Sequence, residues 1–262
     1  MTVHQMAVWI FTTEAPYYLP SLLQNPLEEH AEIIDRVVFA EQPLGRFMRQ
    51  QYRLFGPIDG LRMGGLYARG RVLSMLPPDW QQTVTGKLHS VRDTAALYDV
   101  PTEVVADVSD HAFVERMRSE NPELILSVFC GQRFPRKLLD VPDWAINLHP
   151  SLLPDYRGPA PEFWALFHGE EFTGYTAHVM TEAFDAGAIL DQRELPIRDD
   201  DTLHSLTQRL AKLGGEQASD ILDRFPDAEF ELRANPVTEE DYYPIPTAKQ
   251  RREFKRRGNR IV

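Results

Sequence analysis

The sequence predicts an α/β fold built on an open, doubly wound and mostly parallel sheet with an antiparallel edge, and three observations point there. Short apolar runs of strand length alternate with stretches of helical periodicity through the first half of the chain. Those runs are nearly free of polar residues, as strands covered by helices on both faces must be. Beyond the middle, two alternating segments follow one another across a short polar loop, the mark of a hairpin-like pair at a sheet edge. The chain has 262 residues, 43% of them hydrophobic and 26% charged, enough to bury a large core in one domain or two.

Taken in order, Met6-Ala-Val-Trp-Ile-Phe11 reads as the first strand, and Thr12-Thr-Glu-Ala-Pro16 supplies helix-start residues. That loop contains no glycine, so it lacks the backbone approach that a phosphate-holding loop needs. A helix is expected over 17–34, interrupted near Pro20 or Pro26, and a second strand over 37–40. Residues 44–101 then change character, with Phe47, Tyr52, Leu54 and Phe55 at helical spacing and a run of glycines and arginines after them. They read as a helical insertion on the sheet or part of a lid. A weak strand is expected over 102–108, a helix over 112–120 capped by Ser109-Asp110, and a buried strand over 124–129. Residues 145–149 form another, 161–168 a helix, and 173–181 with 189–197 the edge pair. A last long helix runs from Leu203 towards Phe225 behind acidic residues at its positive end. From Glu229 the pattern alternates briefly, then becomes Pro- and Tyr-rich. The domain reading is therefore a body over 1–230 and an extended basic tail over 231–262.

The single cysteine, Cys130, rules out an internal disulfide and fits a reducing cytoplasm. No apolar run reaches membrane-spanning length, so the expected protein is cytoplasmic with no membrane partner. A net charge of −11 argues against general nucleic-acid binding. The charge is uneven: Lys249, Arg251, Arg252, Lys255, Arg256, Arg257 and Arg260 face only Glu253, about +6 against −17 elsewhere. Such a tail is either an arm for an acidic or phosphorylated partner, or a solvated end lying on the acidic body of its own chain.

The candidate chemistry sits in Ala145-Ile-Asn-Leu-His-Pro-Ser-Leu-Leu-Pro-Asp-Tyr-Arg-Gly158, a strand opening into a proline-bounded loop. Residues two apart on a strand share a face, so Asn147 and His149 project together at its carboxyl end, where open α/β sheets bind ligands. The alternative is an Asn and a His satisfied by nearby backbone within the core. Asp185, before Ala186-Gly187, reads on its own first as a turn former.

Asn147-x-His149-x-Ser151-Leu152-Leu153-Pro154, followed by Thr176-x-His178 and by Asp185-Ala186-Gly187, resembles the 10-formyltetrahydrofolate-dependent formyltransferases. That family includes glycinamide ribonucleotide transformylases, methionyl-tRNA formyltransferases, sugar-nucleotide N-formyltransferases and formyltetrahydrofolate deformylases. The likeness extends over roughly residues 6–197 and is weakest over 44–101. It implies a Rossmann-like formyltransferase fold, a catalytic set of Asn147, His149 and Asp185, and 10-formyltetrahydrofolate as formyl donor without a metal. It further implies a pterin site formed by Phe129, Cys130, Gly131, Gln132, Leu152, Glu182, Ala183 and Phe184, with Cys130 as a wall and His178 at the border. On this likeness Asn147 stabilises an oxyanion, His149 shuttles a proton, and Asp185 orients His149, raises its basicity and holds a relaying water. The Leu153-Pro154 peptide is a candidate for the cis isomer. The first loop disfavours a glycinamide ribonucleotide acceptor, and the short stretch after Phe230 disfavours tRNA, which leaves a small or nucleotide-linked amine. A deformylase, or a non-catalytic folate- or nucleotide-binding protein, is the alternative.

Overall fold

The computed structural model describes residues 7–15, 17–225 and 230–262. Met6, Pro16 and Glu229, each used in the reading above, lie outside them. Among the described residues seven strands form one sheet in the order β3-β2-β1-β4-β5-β6-β7. They are β1 (Val8–Thr12), β2 (Ile34–Ala40), β3 (Thr102–Val105), β4 (Leu124–Val128), β5 (Trp144–His149), β6 (Phe172–Val179) and β7 (Ile189–Pro196). The first five in that order run parallel, whereas β6 pairs antiparallel with both β5 and β7. The doubly wound sheet with an antiparallel edge is thus as expected.

Strand alternation sorts β1 between two cores. Val8 and Ile10 join the larger cluster with Leu22, Leu126, Tyr175 and Phe163. Trp9 and Phe11 join the smaller one with Phe113, Met117 and Phe134. The larger cluster is covered by α1 (Leu19–His30), α7 (Pro161–His168) and α8 (Leu203–Arg224), the smaller by α5 (His111–Glu120) and the short α6 (Arg136–Leu139). Pro20 stands in the first turn of α1, where its missing N–H costs nothing. A capping box between Thr202 and Ser205 starts α8.

The segment expected as an insertion is helical: α2 (Leu44–Leu73), α3 (Pro78–Thr85) and α4 (Val91–Leu97). Gly56, at φ 73° and followed by Pro57, kinks α2 into two helices. Only Gly56, Asp59, Met63 and Gly70 of its 30 residues are buried. The tail is extended at first and then forms α9 (Ala248–Arg256), which faces α2. Phe254 of α9 is buried and stacks on Phe163 with ring centroids 4.5 Å apart. Lys255 pairs with Asp59, and Ile261 is buried while its carbonyl accepts the N–H of His204 at 2.9 Å. Of the two readings of the basic tail, the structure has it lying on its own chain.

Candidate active site

Strand β5 delivers Asn147 and His149 on one face at the carboxyl end of the parallel strands, one strand beyond the β1–β4 junction where the strand order reverses. The loop between β6 and β7 brings Asp185 to them. Its Oδ1 lies 3.6 Å from Nδ1 of His149 and 3.6 Å from Nε2 of His178, while its Oδ2 accepts the backbone N–H of Gly158 at 2.9 Å. Asn147 donates from Nδ2 to Nε2 of His178 at 3.1 Å. The three polar residues singled out in the sequence are therefore together, and His178 is as close to the carboxylate as His149.

The ring tautomers follow from their partners. Nε2 of His149 lies 3.1 Å from the carbonyl of Tyr156 and Nδ1 of His178 lies 3.0 Å from that of Val179. A carbonyl only accepts, so those two nitrogens carry the hydrogens. In the neutral rings the opposite nitrogens then turn lone pairs towards one Asp185 oxygen. Such a constellation is short of one proton at its centre.

Burial pulls the His149 pKa below the ordinary histidine value, and the Asp185 charge only partly offsets this. The expected rise in basicity is thus reversed: a ring this buried loses more hydration on charging than one carboxylate returns. Burial acts on Asp185 in the opposite sense and would raise it, but His149, His178 and the N–H of Gly158 together hold it well below the usual carboxylate range. At neutral pH the pair is therefore an ionised Asp185 facing a neutral His149.

Asp185 occupies the left-handed region at φ 49°, in a loop fixed from three directions. Arg157 donates to the carbonyl of Phe184 at 2.7 Å and Arg133 to that of Glu182 at 2.7 Å. Asn235, from the tail, donates to the carbonyls of Asp185 at 3.1 Å and Gly187 at 3.0 Å. Two glycines permit the closeness. A Cβ on Gly187 would sit 1.8 Å from the Val179 carbonyl oxygen, and one on Gly158, at φ 96°, would meet Tyr242 and the Tyr243 carbonyl at 2.8 Å. The tail also bonds Arg157 through both of its backbone groups, to Asp241 and Tyr243. Arg157, Gly158 and Asn235 were not singled out from the sequence. The first two extend the proline loop, whereas a lone Asn in a tail carries no local signal. The Leu153-Pro154 peptide is cis.

A small pocket of about 80 Å³ opens beside these groups, lined by Asn147, His178 and Asp185 together with Cys130, Gln132, Glu182, Ala183 and Phe184. Three residues expected there do not line it. Leu152 turns its side chain against Gly174 on β6, because the tight proline loop folds it back onto the sheet. Phe129 sits at the strand end at φ 50°, and Gly131 lines a neighbouring hollow with Glu41 and Arg46. The Gln132 amide is taken up by backbone, donating to Glu41 and Ala106 and accepting from Val108. Burial pushes the Cys130 thiol up to about 11, so it is a wall and no ready nucleophile.

Among curated proteins, a methionyl-tRNA formyltransferase of Pelobacter propionicus is 35% identical over 178 residues, covering 68% of this chain and 52% of that protein. The chain spans about half the length of the curated relatives it matches. Among solved structures, a sugar N-formyltransferase from a Shewanella species superposes with a TM-score of 0.61 at 22% identity, over 92% of this chain and 78% of that one. HypX from Aquifex aeolicus, solved with tetrahydrofolic acid, superposes with a TM-score of 0.54 at 18% identity, over 94% of this chain and 31% of that one. At those identities the two structures speak for the fold. The formyl transferase family model matches residues 83–222, which take in β3 to β7, both histidines and Asp185. By that match, over more than half of its length, the chain belongs to the formyl transferase family.

Proposed function

We propose that the protein moves the formyl group of 10-formyltetrahydrofolate to a small or nucleotide-linked amine through a tetrahedral intermediate. What supports this reading is the convergence of Asn147, His149, His178 and Asp185 beside a pocket at the carboxyl end of the sheet, in a chain of this family. The amine lone pair attacks the formyl carbon, forming the new C–N bond and placing negative charge on the formyl oxygen. The second amide hydrogen of Asn147 is aimed at that charge, a contribution of about 3 kcal/mol for a well-placed donor. The proton lost by the amine goes to the unprotonated nitrogen of His149, which the neighbouring carboxylate welcomes. The bond from the formyl carbon to the folate nitrogen then breaks, and that nitrogen takes the proton. Because the His149 pKa is lowered, the base form persists to more acid pH than a free histidine allows, and the acid limb of kcat/KM falls below about 6.5.

Incubation of the full chain with 10-formyltetrahydrofolate and a panel of amines tests this. The expected result is amine-dependent appearance of tetrahydrofolate and a formylated product. Release of formate at the same rate without amine makes the protein a deformylase, and no turnover under any condition leaves a binding protein on the family scaffold.

A further inference from the structure

Helix α2 and the short α3 turn apolar faces to solvent. In the first half of α2, Leu44, Met48 and Tyr52 recur at four-residue spacing and all are exposed. In the second half, Ile58, Leu61 and Val72 share the exposed face, with Leu61 at 79%. Met75 and Trp80 continue the exposed apolar surface into α3, at 78% and 64%. Soluble surfaces scatter such residues singly, whereas here they follow one stretch of chain.

The same stretch is basic in an acidic protein. Helix α2 contains six arginines and one acid, Asp59, a net of +5 in a chain of −11, so everything outside it carries −16. Asp59 is buried and paired with Lys255 and Arg62. The other five arginines, Arg46, Arg49, Arg53, Arg69 and Arg71, are exposed and have no carboxylate within ion-pair distance among the described residues. In the first half, Arg49 and Arg53 border the Leu44–Met48–Tyr52 stripe, one step around the helix.

We propose that the α2–α3 arm lies on an anionic lipid surface, its apolar stripes sunk to the headgroup boundary and its arginines on the phosphates. Arginines flanking exposed Leu, Met, Tyr, Ile and Trp are what an interfacial helix needs. No spanning run is required, so the arm departs from the expectation of no membrane partner without a transmembrane segment. Nucleic acid would engage the arginines and leave the apolar stripes in water. A second copy meeting α2 on α2 would bring arginine edges against each other.

The test is vesicle flotation of the full chain with phosphatidylcholine alone and with equal parts phosphatidylcholine and phosphatidylglycerol, independent of any catalytic assay. The protein is expected to float with the anionic vesicles, to be released by high salt, and to stay behind with phosphatidylcholine. Arg49→Glu with Arg53→Glu, and separately Leu61→Asp, should each cut partitioning by about tenfold or more, with an unchanged circular dichroism spectrum. As a second readout, tryptophan emission should shift to the blue on the anionic vesicles, and Trp80→Phe should remove that shift. The proposal is overturned by absence of flotation, or by flotation indifferent to both variants. It is equally overturned if the variants instead abolish binding to single-stranded RNA, or dissociate a dimer seen by light scattering, with no vesicle binding in either case.

Discussion

The loop that holds Asp185 and the helix α2 are opposites in one respect. Around Asp185 three consecutive structural levels, an arginine on each side and an asparagine from the tail, fix backbone carbonyls at 2.7 to 3.1 Å. Helix α2 runs for 30 residues across its kink at Gly56 and yet buries four of them. The first region spends its polar groups inward and so holds a geometry. The second leaves both its charges and its apolar faces outward and so holds a surface. Substitutions should therefore cost stability or chemistry in the first region and neither in the second.

The largest loss is expected from Gly187→Ala, whose Cβ would fall on the Val179 carbonyl: about 3 kcal/mol or more by chemical denaturation, with activity lost too. Next come Asn147→Ala, His149→Ala and Asp185→Ala, each lowering formyl transfer at least about a hundredfold, or 2.7 kcal/mol, with the fold intact by circular dichroism. Near-normal rates in any two of them would remove the mechanism.

Behind the loop, burial pushes the carboxyl of Glu162 on α7 up to about 7 from its ordinary 4.5. A raised carboxyl favours the folded state while protonated, so stability is full below about 4.5 and declines as pH rises towards 7. Glu162→Gln should then raise stability at pH 8 by about 2 kcal/mol, change little near pH 4, and flatten the profile between. A variant that melts lower than wild type at pH 8 would refute this.

Asn235→Ala leaves two loop carbonyls without their donor, for about 1 kcal/mol of stability and a several-fold drop in rate. An unaltered rate would mean that Arg157 and Arg133 position Asp185 unaided. Smallest of all, Leu61→Asp and Arg49→Glu on α2 should each change the unfolding free energy by no more than about 0.5 kcal/mol, and a larger loss would show that α2 has a packing role.

Most strands and the long helices could be read from the sequence because each is encoded within its own stretch. Pro161 opens α7 and Gly169 closes it, and apolar runs mark β1, β4 and β5, whereas α1 is shorter than the 17–34 expected and passes through Pro26 without interruption. Asn147 and His149 were legible for the same reason, since two residues fix their common face. What was illegible lies between stretches. Asn235 serves backbone carbonyls, which any residue presents, so nothing at Asp185 or Gly187 announces it. Leu152 carries a motif residue's identity, but the direction of its side chain is set by the fold of a loop. The lowered pKa of His149 depends on how completely helices and loops exclude water from one ring, a property of the assembled body.

The strap formed by the tail gives the site a place in time as well as in space. Asn235, Asp241 and Tyr243 secure the Asp185 and Arg157 loops, and Phe254 and Ile261 anchor the stretch beyond. During synthesis all seven strands precede those residues, so the Asp185 loop gains its asparagine donor only after the sheet has been made. The candidate centre is therefore completed later than the sheet that carries it.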